Sequence, residues 1–119
     1  MAKTIMLVDD DADIRRTVKA VLQKNGYHVI AAVNGEDCLK KLDSCVKKPD
    51  LVLMDIMMPG MPAKDVVRKI KGVKIAYLSV VMVSEAEKKE LMENGNIADF
   101  IQKPFDVDEL LKRVKKIVG

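Results

Sequence analysis

Short apolar runs alternate along this chain with stretches whose apolar residues recur every three or four positions, and that alternation constrains the fold more than any other feature of the sequence. Leu51, Val52, Leu53 and Met54 form one unbroken run, and Val80, Val81, Met82 and Val83 form another. Strands buried on both faces read this way. Runs at residues 5–8, 29–32 and 98–102 predict three more strands. Between them, Ile14, Val18, Val21 and Leu22 predict a helix ended by Asn25-Gly26, with Asp11 or Asp13 at its start. Cys38, Leu39, Leu42 and Val46 predict a second helix, closed by Pro49, and Val66, Val67 and Ile70 a third before Gly72. Residues 85–94 predict a charged fourth helix with only Ala86, Leu91 and Met92 to bury; it should pack lightly. Val107, Leu110, Leu111, Val114 and Ile117 mark a long terminal helix. Five strands alternating with five helices predict an α/β, doubly wound parallel sheet covered on both faces, because every parallel connection needs a crossover.

The chain of 119 residues is the size of one domain, so residues 1–119 are read as a single unit. Its net charge of +3 is mild, and the densest basic cluster, Lys112, Arg113, Lys115 and Lys116, reads as a solvated helix face. Aromatic residues make up only 3%, which leaves no stacking platform for bases and argues against nucleic-acid binding. Cys38 and Cys45, two helical turns apart, are expected as core-facing thiols without a disulfide. With His28 as the one histidine, expected at a strand edge, a zinc site is not anticipated, and a reducing cytoplasm is the expected compartment. No apolar stretch approaches membrane-spanning length.

The chemistry gathers at the carboxyl ends of the predicted strands, where doubly wound sheets bind their ligands. Asp9, Asp10 and Asp11 follow the first strand, Asp55 the third, Ser84 the fourth and Lys103 the fifth. Carboxylates brought together at one sheet edge repel, so the pattern makes physical sense only with a cation. A magnesium ion suits oxygen ligands of this kind, with the Met57 carbonyl placed to assist. Asp55, at the end of a central strand, is the best nucleophile, able to accept a phosphoryl group as an acyl phosphate. Lys103 and Ser84 are candidates to stabilise the equatorial oxygens, and no general base is required.

Leu7-Val8-Asp9-Asp10, Asp55-Ile56-Met57-Met58-Pro59-Gly60, Val83-Ser84 and Lys103-Pro104-Phe105 together resemble the signature blocks of the receiver domain of two-component response regulators, especially the stand-alone chemotaxis type. The resemblance covers nearly the whole chain. It implies strand order 2-1-3-4-5, Asp55 as phosphoacceptor, magnesium held by Asp10, Asp55 and the Met57 carbonyl with Asp9 acting mainly through water, Ser84 as the switch hydroxyl and Phe100 as the switch aromatic. It further implies a histidine kinase as phosphodonor and a downstream target protein docking on the face of the fourth helix, fifth strand and fifth helix. Lys88, Lys89, Lys112, Arg113 and Lys116 would favour an acidic partner on that face. A monomer that catalyses only its own phosphorylation and dephosphorylation is expected.

The chain departs from the family pattern at Asp11, at Pro62-Ala63 and at Gly95-Asn96-Ile97-Ala98, none of them a proposed phosphorylation residue. Phe100 lacks the hydroxyl of a tyrosine, so its two positions would differ only in packing and solvation. Neither Met57 nor Ala86 can orient a water, which predicts slow loss of the phosphoryl group. Two rivals of like architecture fit less well. A haloacid-dehalogenase-like phosphatase wants an acidic residue where Met57 stands, and a flavodoxin-like carrier wants phosphate-binding donors where Asp9-Asp10-Asp11 would repel the cofactor.

Overall fold

The computed structural model describes residues 2–79, 84–93, 96–102 and 106–118. The elements follow in strict alternation: β1 Thr4–Val8, α1 Ala12–Lys24, β2 His28–Ala32, α2 Gly35–Ser44, β3 Leu51–Asp55, α3 Ala63–Lys69, β4 Lys74–Ser79, α4 Glu85–Leu91, β5 Ile97–Gln102 and α5 Val107–Val118. The five strands form one parallel sheet in the order β2-β1-β3-β4-β5, as expected. The order in which strands are added reverses between β1 and β3, so their carboxyl ends open the crevice in which such folds place a ligand.

Period-two alternation divides the core between the two faces of the sheet. Met6, Val8, Val52, Met54, Ile75 and Tyr77 point to the side covered by α2, α3 and α4. Ile5, Leu7, Leu51, Leu53, Ala76 and Leu78 point to the side of α1 and α5. Every residue of β3 is buried, which is why its sequence carries no polar residue before Asp55. Helix ends are set locally. The Asp11 side chain accepts from the Asp13 and Ile14 amides to start α1, and Asn34 does the same for α2 through Asp37. Gly26, at φ 90°, carries the chain out of α1 in a conformation that a side chain would strain. Gly35 lets α2 approach α3 closely, because a Cβ there would collide with Val66.

The fourth strand includes Lys74–Ser79, and the expected run Val80, Val81, Met82 and Val83 lies outside the described residues. Two sequence expectations are corrected, at Val46 and at Cys45. Helix α2 stops at Ser44 with Cys45 as its C-cap, so Val46 does not extend the apolar stripe; it is fully exposed. Cys45 therefore is only half-buried at a helix end, while Cys38 is buried, and both are free thiols. Burial pushes the Cys38 thiol up to about 12. His28 begins the edge strand β2 and is exposed. Among the described residues no helix is long and apolar enough to cross a membrane.

Candidate phosphoacceptor site

Residue Asp9 follows β1 directly, with its amide bonded to the Ala32 carbonyl of β2 at 3.2 Å, and its side chain is fully buried. Its Oδ1 accepts from the Asp11 amide at 2.9 Å, and its carbonyl accepts from Arg15 Nη1 at 2.7 Å. Asp55 ends β3 with 5% of its surface exposed, its Oδ1 accepting from the Met57 amide at 3.1 Å. Asp10 is exposed between them. Carboxylate oxygens of Asp9, Asp10 and Asp55 all lie within 4.8 Å of one another. Two unit charges at such a separation repel by about 3–4 kcal/mol at the effective dielectric of a protein site. A set of hard oxygen donors, two of them almost removed from water, fits a divalent cation of the magnesium kind.

The loop after β3 is shaped by its neighbours. The Ile56 amide bonds the Leu78 carbonyl of β4 at 3.0 Å, and the Met61 amide bonds Glu36 Oε1 of α2 at 3.0 Å. Gly60 takes φ 91° beside the Glu36 carboxylate, a turn no larger residue makes without strain. Pro62 then leads into α3 at φ −58°, its carbonyl accepting from the Asp65 and Val66 amides. Met57 stands 55% exposed at the rim.

Of the residues singled out in the sequence, Asp9, Asp10 and Asp55 converge. Lys103 lies outside the described residues. Ser84 is the N-cap of α4: its hydroxyl accepts from the Glu87 amide at 3.1 Å and lies 3.2 Å from Glu87 Oε1. The residue that ends β4 is Ser79, one position beyond Leu78, which pairs with Asp55, and opposite Gln102 of β5, the neighbour of Lys103 in the chain. Sequence reasoning did not single out Ser79, whose segment it left unassigned. It also missed Arg15, which brings a guanidinium to the Asp9 backbone one turn into α1.

Phe100 of β5 is half-buried, its ring 6.2 Å from that of Tyr77 on β4 and tilted by 57°, with Lys88 Nζ of α4 5.5 Å from the ring centre. Arg113 of α5 spans 3.1 Å to Asp99 Oδ1 and 3.0 Å to Glu109 Oε1, and also bonds the Phe100 carbonyl at 3.2 Å. The Glu109 hydrogen bond, with Asp99 beside it, raises its pKa against the opposing effect of burial. Arg113 thus ties α5 to β5, and the basic character of this face rests on the exposed lysines.

A five-stranded doubly wound sheet with a carboxylate trio at its crevice defines the class: an α/β module whose acidic edge lies where such folds place their ligands. The chain belongs to the response regulator receiver domain family, whose model matches residues 5–115. It is 37% identical to the chemotaxis protein CheY of Bacillus subtilis, with all of both chains covered. It is 35% identical to sporulation initiation phosphotransferase F of the same organism, over 98% of this chain and 94% of that one. A solved CheY-like receiver domain protein from Methanospirillum hungatei JF-1 superposes with a TM-score of 0.84 at 35% identity, covering 98% of this chain and 94% of that one. The chain spans about half the length of two further relatives, both transcriptional regulators: 49% of one and 55% of the other.

Proposed function

We propose that Asp55 accepts a phosphoryl group from a histidine kinase and that the modified chain controls a partner protein through the face of α4, β5 and α5, as a regulator of the chemotaxis or phosphorelay kind in the cytoplasm. The observation that carries this reading is the convergence of Asp9, Asp10 and Asp55 within 4.8 Å at the crevice of the sheet. In the reaction an Asp55 oxygen bonds phosphorus as the donor's nitrogen–phosphorus bond breaks, the imidazole nitrogen keeping the electron pair. The Met57 amide orients the carboxylate for that attack by holding Oδ1. Asp10, Asp55 and the Met57 carbonyl, with Asp9 behind them, would hold magnesium, which supplies charge neutralisation at the transferring oxygens. Lys103 is the proposed cation on the opposite side.

For the hydroxyl that meets the phosphoryl oxygens, the strand register favours Ser79 over Ser84. The backbone of Ser79 follows Asp55's own pairing partner in β4, whereas the Ser84 hydroxyl is engaged in capping α4. The phosphoryl group should be lost slowly, since neither Met57 nor Ala86 can direct a water. Rapid loss unaltered by replacing Met57 contradicts that.

Incubating the protein with acetyl phosphate and magnesium and weighing it intact tests the reading. One phosphoryl adduct, absent in Asp55→Ala and without magnesium, supports it; no adduct, or one that survives Asp55→Ala, overturns it. Within the same assay Ser79→Ala should slow adduct formation and Ser84→Ala should not. The reverse order restores Ser84.

A further inference from the structure

Tyr77 sits in β4 with no exposed surface, and its hydroxyl has no hydrogen-bond partner among the described residues. An unpaired buried hydroxyl is costly and uncommon, and a phenylalanine would fill the same space without that cost. Burial pushes the phenol up to about 12, so the group stands as a neutral O–H donor at working pH.

The surroundings say where an acceptor could arise. Tyr77 pairs in register with Phe100, and their rings are neighbours. Phe100 is covered on its outer side by Lys88 of α4. Among the described residues α4 is the helix with no fully buried residue, touching the core only through the partly buried Leu91, so it can shift at less cost to the core than its neighbours. The phenol therefore lies beside a half-buried ring that a lightly packed helix covers, and Phe100 has no hydroxyl of its own with which to distinguish two positions.

We infer that Tyr77 is a positioning residue for the switch: its O–H, unpaired in the arrangement described above, acquires an acceptor when α4 and Phe100 rearrange on modification of Asp55. The inference rests on Asp55 as phosphoacceptor and adds to it the residue that biases the response. A hydrogen bond present in one arrangement and absent in the other shifts the equilibrium toward the first. Removing the hydroxyl then favours the arrangement in which it is unpaired.

Tyr27 and Tyr77 are the two tyrosines and there is no tryptophan, so in a Tyr27→Phe chain the tyrosine spectrum reports Tyr77 alone. Magnesium with beryllofluoride, an equilibrium mimic of the phosphoryl group, should shift that spectrum as the phenol gains an acceptor. Tyr77→Phe should raise the melting temperature of the unmodified chain by about 4–8 °C, the shift expected on removing an unpaired hydroxyl. It should also weaken beryllofluoride binding roughly tenfold, the worth of one hydrogen bond made only in the bound arrangement. A lowered melting temperature, unchanged beryllofluoride affinity, or a silent Tyr77 spectrum at saturation overturns the inference. Should Tyr77→Phe fail to fold, the spectrum of the Tyr27→Phe chain decides. Intact mass after acetyl phosphate keeps the two questions apart: no adduct on Asp55 condemns the functional reading, whereas an adduct with a silent Tyr77 condemns this inference alone.

Discussion

Helices α3 and α4 each have seven residues and both lie on the same side of the sheet, yet one is built into the core and the other rests on it. Ala63, Val66 and Val67 of α3 are buried, and α3 has no side-chain cap; α4 buries no residue and is begun by the Ser84 hydroxyl. Tertiary packing therefore holds α3, whereas local hydrogen bonds hold α4. A helix secured by caps and rim contacts can change position while the core stays intact, which is the property a signalling face needs.

The comparison can be broken at either helix, and the largest effect belongs to α3. Gly35→Ala drives a Cβ into Val66 and should destabilise the fold by about 1–3 kcal/mol, read as a lowered midpoint in urea. A neutral result would mean that α2 and α3 can separate freely, and the contrast would fail. Ser84→Ala should cost about 1 kcal/mol, but within α4: hydrogen exchange of its amides should quicken while the global midpoint moves little. Equal loss of protection in α3 would show the two helices to be one cooperative unit. Lys64 Nζ stands 3.6 Å from Glu90 Oε1, an exposed bridge between the two helices. Lys64→Ala should change stability by less than about 1 kcal/mol, and less still at high salt.

The smallest effect lies at the start of α2. The Asp37 carboxyl is held below its ordinary value, first by the hydrogen bond from the Val33 amide, which outweighs the opposing effect of burial, and then by Lys41. A depressed folded-state pKa contributes stability above the unfolded value, near 3.8, and that contribution is lost as pH falls through the folded value. Asp37→Asn should therefore narrow the stability difference between pH 6 and pH 3, measured by urea melts at each pH. An unchanged difference would remove Asp37 from the acid response.

Most of the architecture was legible because β3 and its neighbours are buried on both faces and so must be continuously apolar, a pattern turns cannot imitate. The site carboxylates were legible for a related reason: Asp9, Asp10 and Asp55 are acidic residues set directly against such runs, a placement the apolar pattern does not account for. What hydrophobicity alone did not show was register. The ladder to β3 runs through Ile75, Ala76, Tyr77 and Leu78, in a segment less apolar than residues 80–83, which lie outside the described residues. Pairing is a property of two strands, and no single segment displays it. The capping by Ser84 was readable, since Ser84-Glu85-Ala86-Glu87 carries the Ser-x-x-Glu spacing of a capped helix start. Val46 was misjudged because its spacing fits the stripe of α2 while the chain has already left the helix at Cys45.

Hydrogen exchange followed along the chain with and without acetyl phosphate and magnesium, in the natural sequence and in Asp55→Asn, tests the central claim most directly. Protection should change in α4 and β5, stay unaltered in α3, and respond to neither reagent once Asp55 is replaced. An adduct on Asp55 that leaves α4 unmoved, or an equal response in α3, would contradict the account.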